Sequence, residues 1–143
     1  MAWRAPAAAC RDLARSDPAF AARAWTLVEQ QLTESRLSGM CQALHPVERR
    51  LARWLLESME RSGGRNPMPL TQEFIASMLG VQRTTVNSFA IQLQKAGLIT
   101  YMRGKVEVLD AAGLERRACT CRPAARAERR RLHLVADGDV TEH

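Results

Sequence analysis

Between residues 47 and 108 the spacing of apolar positions changes from helical to alternating. Val47, Leu51, Trp54, Leu55 and Met59 recur at intervals of three and four, which places them on one face of a helix. A second, shorter helical set follows in Phe74, Ile75, Met78 and Leu79, predicted as the buried face of a helix that Thr71 caps. The Thr71 hydroxyl can accept from the free amides of Gln72 to Phe74, and Pro69 discourages an earlier start. A third helix is predicted from about Gln82 to Lys95, with Val86, Phe89 or Ala90, and Leu93 inward and Arg83, Thr84, Asn87 and Ser88 outward. Ile99, Tyr101, Val106 and Val108 then alternate with polar residues, the period of a hairpin.

The connections sharpen this pattern. Gly80 falls where a sharp turn between the two short helices needs positive φ, Val81 can plug the angle between them, and Ala76 is small enough to let them cross closely. Gly97 is a suitable stop for the next helix. Two short helices about a tight turn, then a hairpin, predict a winged helix-turn-helix: mainly α with a small β-hairpin wing. The outer face of the second helix carries only groups able to hydrogen-bond, and its N-terminal end directs the positive pole of the helix dipole toward an approaching phosphate. The candidate DNA-binding residues are therefore Thr71, Gln82, Arg83, Thr84, Thr85, Asn87 and Ser88, with Arg103 and Lys105 at the hairpin tip beside Gly104. Taken singly, the two glycines could be plain helix stops and the tip residues solvated surface. Their combination points to DNA.

Upstream, a helix is predicted from Asp17 to about Leu44, with Pro18 in its first turn. Along it Ala21, Trp25, Val28, Leu32, Ser35 and Gly39 recur at alternating spacings of three and four, the seam of a two-stranded coiled coil. The leading helix of the next domain already has apolar residues for its own core, so this seam is assigned to pairing of two copies. Gly39 weakens it by about 1 kcal/mol relative to Ala. Ser62 to Pro67 form a loop, and the run from Arg122 to His143 has no lasting apolar period and is expected to be an irregular basic tail.

The segments Val47-Glu48-Arg49-Arg50-Leu51-Ala52-Arg53-Trp54-Leu55-Leu56, Leu70-Thr71-Gln72-Glu73, Met78-Leu79-Gly80-Val81, Ala96-Gly97-Leu98-Ile99 and Arg103-Gly104-Lys105-Val106-Glu107-Val108-Leu109-Asp110 resemble the C-terminal half of the Crp/Fnr superfamily of bacterial transcription regulators. The resemblance extends back through Asp17 to Leu44, similar to the family's long dimerisation helix, and Ala2 to Leu13 are similar to the end of its sensory domain. It implies four parts: a remnant at 1–15, a dimerisation helix at 16–44, the winged helix-turn-helix at 45–118 and a disordered basic tail at 119–143. It also implies a homodimer on double-stranded DNA and admits RNA polymerase as a further partner. Family members usually carry an N-terminal β-barrel for a cyclic nucleotide or another effector, for which this sequence has no room. The expectation is a sensor-less regulator without a cofactor, in which Ser35 and Arg36 cannot complete a nucleotide pocket. Arg83 fits one base-reading position of the family, whereas Thr84 and Ser88 stand where charged readers are common, so the operator is expected to differ.

Composition adds modest weight. Lys and Arg total 21 against 15 Asp and Glu, a formal net charge of +6, which favours a polyanionic partner. No apolar run reaches the length of a membrane span and the start has no signal-peptide pattern, so a cytoplasmic protein without a membrane partner is expected. No phosphate-cradling loop, nucleophile elbow or metalloprotease motif is present, and catalysis is not expected. Of the four cysteines, Cys119 and Cys121 are one residue apart while Cys10 and Cys41 are far away in sequence, and no His pair has zinc-finger spacing. The iron-sulfur branch of the family draws most of its ligands from the sensory region, so these cysteines are expected to be free thiols with no metal, and His45 a cap or packing residue. Two alternatives remain open: a subunit that forms heterodimers with full-length relatives and silences them, and a thiol-based metal or redox sensor built on Cys119 and Cys121.

Overall fold

The computed structural model describes residues 4–138, with side chains except at 129 and 132–138. In chain order the elements are α1 (Ala7–Ser16), α2 (Pro18–Leu44), α3 (Val47–Arg61), β1 (Met68–Pro69), α4 (Gln72–Leu79), α5 (Arg83–Lys95), β2 (Ile99–Met102), β3 (Lys105–Val108), α6 (Ala111–Arg117) and α7 (Cys121–Gly138). They divide into two units, one of residues 39–122 and one of the segments on either side of it. Among the described residues no helix is long and apolar enough to cross a membrane.

In the flanking unit, Asp17 Oδ1 accepts from the amides of Ala19 at 2.9 Å and Phe20 at 3.1 Å, satisfying donors that the first turn of α2 leaves free. The segment before it, expected as a frayed remnant, contains the helix α1. Along α2 the predicted seam lies open: Trp25, Val28 and Leu32 are 69%, 54% and 47% exposed. The expected irregular tail is largely the helix α7, and only residues 139–143 of it lie outside the described residues. Ala, Arg, Glu and Leu dominate its sequence and are strong helix formers, and Pro123 is tolerated in the first turn, so local propensity outweighs the missing apolar period.

The 39–122 unit is built around one core. Leu51, Ala52, Leu55 and Leu56 of α3 meet Ile75, Ala76 and Leu79 of α4, Val86 and Leu93 of α5, Ile99, Val106 and Val108 of the sheet, and Leu114 of α6. Trp54, Met59, Phe89 and Tyr101 pack against its edge. The predicted inner face of α4 is displaced. Phe74 and Met78 are 49% and 50% exposed, and the buried face is Ile75, Ala76 and Leu79. An eight-residue helix makes little more than two turns, so its apolar positions leave the direction of the face open; Phe74 instead sets its ring edge-on to Trp54 at 6.0 Å.

The hairpin is the predicted one, β2 pairing antiparallel with β3 from Ile99↔Val108 to Met102↔Lys105. Its two-residue loop, Arg103-Gly104, has φ of 51° and 74°, the doubly positive combination whose twist suits adjacent strands. A third strand not anticipated, β1, pairs with the other edge of β3 through Met68↔Val106 and Pro69↔Lys105. Just before it, Asn66 Nδ2 donates to the Val108 carbonyl at 2.8 Å and Asn66 Oδ1 accepts from the Val108 amide at 2.9 Å.

Candidate nucleic-acid interface

The two short helices form as predicted at their ends. Thr71 Oγ1 accepts from Phe74 N at 3.1 Å, and Gly80 adopts φ 64°, ψ 42°, a left-handed conformation that ends α4 and aims the chain at α5. On the far side of this turn the buried Arg50 of α3 donates from its guanidinium to the Leu79 carbonyl. A cation at the C-terminal pole of a helix is favoured by the dipole, and this one anchors the last carbonyl before the turn. Sequence reasoning did not single out Arg50. Its place beside Leu51, at the edge of the predicted apolar face of α3, was the available signal.

Arg83, Thr84, Asn87 and Ser88 of α5 are exposed, as is Gln82 at its start, while Thr85 is half-buried. Val86, Ala90 and Leu93 are buried and the half-buried Phe89 packs against the core, so both members of the predicted pair turn inward. Gln94 Oε1 accepts from Tyr101 N at 2.8 Å and so ties the far end of α5 to the wing.

Two contacts join the candidate residues into one surface. Gln72 Nε2 donates to Asn87 Oδ1 at 2.9 Å, linking the start of α4 to the outer face of α5. Gly104 sits so near the Thr71 methyl that a Cβ there would lie 3.6 Å from it, which brings the wing turn to the same end of α4. Arg103 in that turn and Lys105 just after it are exposed. The order across the surface is therefore wing tip, N-terminus of α4, outer face of α5. Asn87 has a second role in this arrangement, since one of its polar atoms is already engaged by Gln72.

The cysteines lie closer together than their places in the sequence suggest. Cys41 and His45 lie one helical turn apart at the end of α2, His45 N donating to Cys41 O at 3.1 Å, and Cys119 and Cys121 flank the corner between α6 and α7. The fold brings all four together, with their ligand atoms within 4.8 Å of one another. Cys41 Sγ lies 3.4 Å from Cys119 Sγ, and Cys121 Sγ lies 3.5 Å from His45 Nδ1. Cys41 and Cys119 are buried, and only Cys10 is an exposed thiol among the described residues. Burial, followed by the hydrogen bond with Cys119, pushes the Cys41 thiol up to about 12. Separation in sequence was thus a poor guide to separation in space, and His45 packs beside Cys121.

Comparison with known proteins agrees with this architecture. The Crp-like helix-turn-helix domain family matches residues 49–117. The HTH-type transcriptional regulator Cmr of Mycobacterium tuberculosis is 30% identical over 106 residues, covering 74% of this chain and 42% of its own length. A crystal structure described as a transcriptional regulator of the Crp/Fnr family from Eubacterium rectale superposes with a TM-score of 0.64 at 25% identity, over 78% of this chain and 51% of that one. The chain thus spans about half the length of the relatives it matches. Its residues 49–117 form a Crp-like helix-turn-helix domain.

Proposed function

We propose that the protein is a sequence-specific transcription regulator that binds double-stranded DNA as a homodimer in the cytoplasm. The observation that carries this reading is the outer face of α5, where Arg83, Thr84, Asn87 and Ser88 stand exposed at the N-terminal half of the helix. A major groove accepts a helix in this orientation. Arg83 can reach guanine O6 and N7 with a two-pronged hydrogen bond, while Thr84 and Ser88 supply shorter donors and acceptors. Thr71, Gln82, Thr85, Arg103 and Lys105 border this face and contact phosphates, fixing register without reading sequence.

The open apolar seam of α2 supports pairing. Trp25, Val28 and Leu32 are exposed apolar side chains at the spacing of one coiled-coil face. Two paired copies present two α5 helices to half-sites about one helical turn apart, so the operator is an inverted repeat. At a promoter, such a dimer acts by excluding RNA polymerase or by touching it.

The test is selection of bound sequences from a random duplex pool by the purified full chain. Enrichment of one inverted repeat is the expected result. Recovery of a pool as random as the input would overturn the reading.

A further inference from the structure

We propose that Cys41, His45, Cys119 and Cys121 hold a single zinc ion in a closed tetrahedral site. The chemistry of the donor set points to zinc. Three thiolates and one imidazole are a regular structural zinc set, and four protein ligands leave no position for water or substrate. Distances point the same way. With Zn–S near 2.3 Å and Zn–N near 2.0–2.1 Å, a tetrahedron has S···S edges of about 3.8 Å and S···N edges of about 3.6 Å. The observed 3.4 Å between Cys41 and Cys119 and 3.5 Å between Cys121 and His45 need shifts of only a few tenths of an ångström. All four ligand atoms fall within 4.8 Å of one another, a cage of a size for one ion.

The local backbone explains how this set is assembled. Positions four apart on a helix lie one above the other, which aligns Cys41 with His45 at the last turn of α2. Across from them Arg122 N donates to Cys119 O at 3.3 Å, a tight turn that places the two thiols of Cys119 and Cys121 at one corner. Arg122 is itself held by ion pairs with Glu60 of α3 and Glu115 of α6, so the corner is braced from two helices.

The surroundings suit the charge of the loaded site. Three thiolates and one divalent ion sum to a single negative charge. Arg53 of α3 is 8% exposed and pairs through Nη1 with Glu57 at 3.3 Å, while its Nε–H has no hydrogen-bond partner among the described residues. A buried cation with an unused donor is the outer-shell partner that a thiolate site calls for. Binding displaces the thiol protons, and the ion clips the end of α2 to the far side of the DNA-binding unit, 78 residues later in the chain. The site is thus structural, tying the two ends of the 39–122 unit to each other.

The test uses the full chain purified without chelator under reducing conditions. Elemental analysis should give one zinc per chain, and replacement by Co²⁺ should give the intense visible bands of a tetrahedral, thiolate-bound ion. Cys10→Ser should keep both signals. Cys119→Ser and His45→Gln should each weaken metal binding by more than the roughly 10- to 100-fold that outer-shell changes cost. Chelation should lower the melting temperature of the unaltered protein and of Cys10→Ser alike. Because Cys119 is buried, the Co²⁺ spectrum of the unaltered, folded protein reads the ligand set without any substitution. A folded chain with no zinc and no tetrahedral Co²⁺ spectrum would overturn the proposal, as would the absorption of an iron-sulfur cluster or loss of the ion in Cys10→Ser.

Discussion

Asn66 gives Val108 both of the hydrogen bonds that a neighbouring strand would give it, donating to the carbonyl and accepting from the amide through one side chain. The strand β1 is only two residues long, and this amide extends the pairing of the β3 edge past its end. Asn66→Ala should cost about 1–3 kcal/mol, since two part-buried backbone groups lose their partners. Asn66→Asp keeps an acceptor for the amide but loses the donor to the carbonyl, and should fall between. Denaturant unfolding of the three proteins checks the order; equal stabilities would show that water replaces the amide without cost.

Gly80 offers a cleaner separation of strain from crowding. Nothing lies within 4 Å of where its Cβ would be, so a side chain there meets open space and the cost is that of the left-handed backbone alone. Gly80→Val should lose about 1–3 kcal/mol and with it most DNA binding, whereas Gly80→Asn, which tolerates this conformation, should lose less. An unchanged melting temperature in Gly80→Val would mean that α4 does not end in this turn.

For DNA recognition, Arg83 and Lys105 should behave differently because one lies on the outer face of α5 and the other beside the wing turn. Arg83→Ala should cost roughly 1–3 kcal/mol on the selected operator and little on random duplex. Lys105→Ala should weaken both alike and flatten the dependence of affinity on salt. Equal losses on both duplexes for Arg83→Ala would remove its role in reading bases.

The seam of α2 can be tested by charge. Val28→Asp with Leu32→Asp sets carboxylates opposite each other in a paired helix, and sedimentation should show a monomer. Both positions are exposed in the single chain, so its fold should be spared. Binding to the inverted repeat should fall far more than binding to a half-site, and a variant that stays dimeric would place the interface elsewhere.

What the sequence disclosed was whatever depends on near neighbours. The Thr71 cap, the Gly80 turn, the inward residues of α5 and the alternation of the hairpin each reside within a turn or a strand, where residue type and spacing suffice. The buried face of α4 was misjudged at Phe74 and Met78 because a helix this short has several apolar positions and its orientation is set by α3, through Trp54 and Arg50. Strand β1 and the Asn66 amide meet a partner about forty residues away, at a distance no local pattern encodes. The four metal-type side chains were all visible as residues. Only the packing of α6 against α3 closes the distance between them.

That convergence also says where the chain comes into the DNA-binding unit and where it goes out. Cys41 stands two residues after the unit begins and Cys121 one before it ends, and their sulfur atoms lie within 4.8 Å. Entry and exit thus share a doorway. A domain with adjoining ends can be carried by a host chain as an insertion, because the flanking segments need no long connection to reach it. In this protein the winged helix is a cassette whose own ends meet.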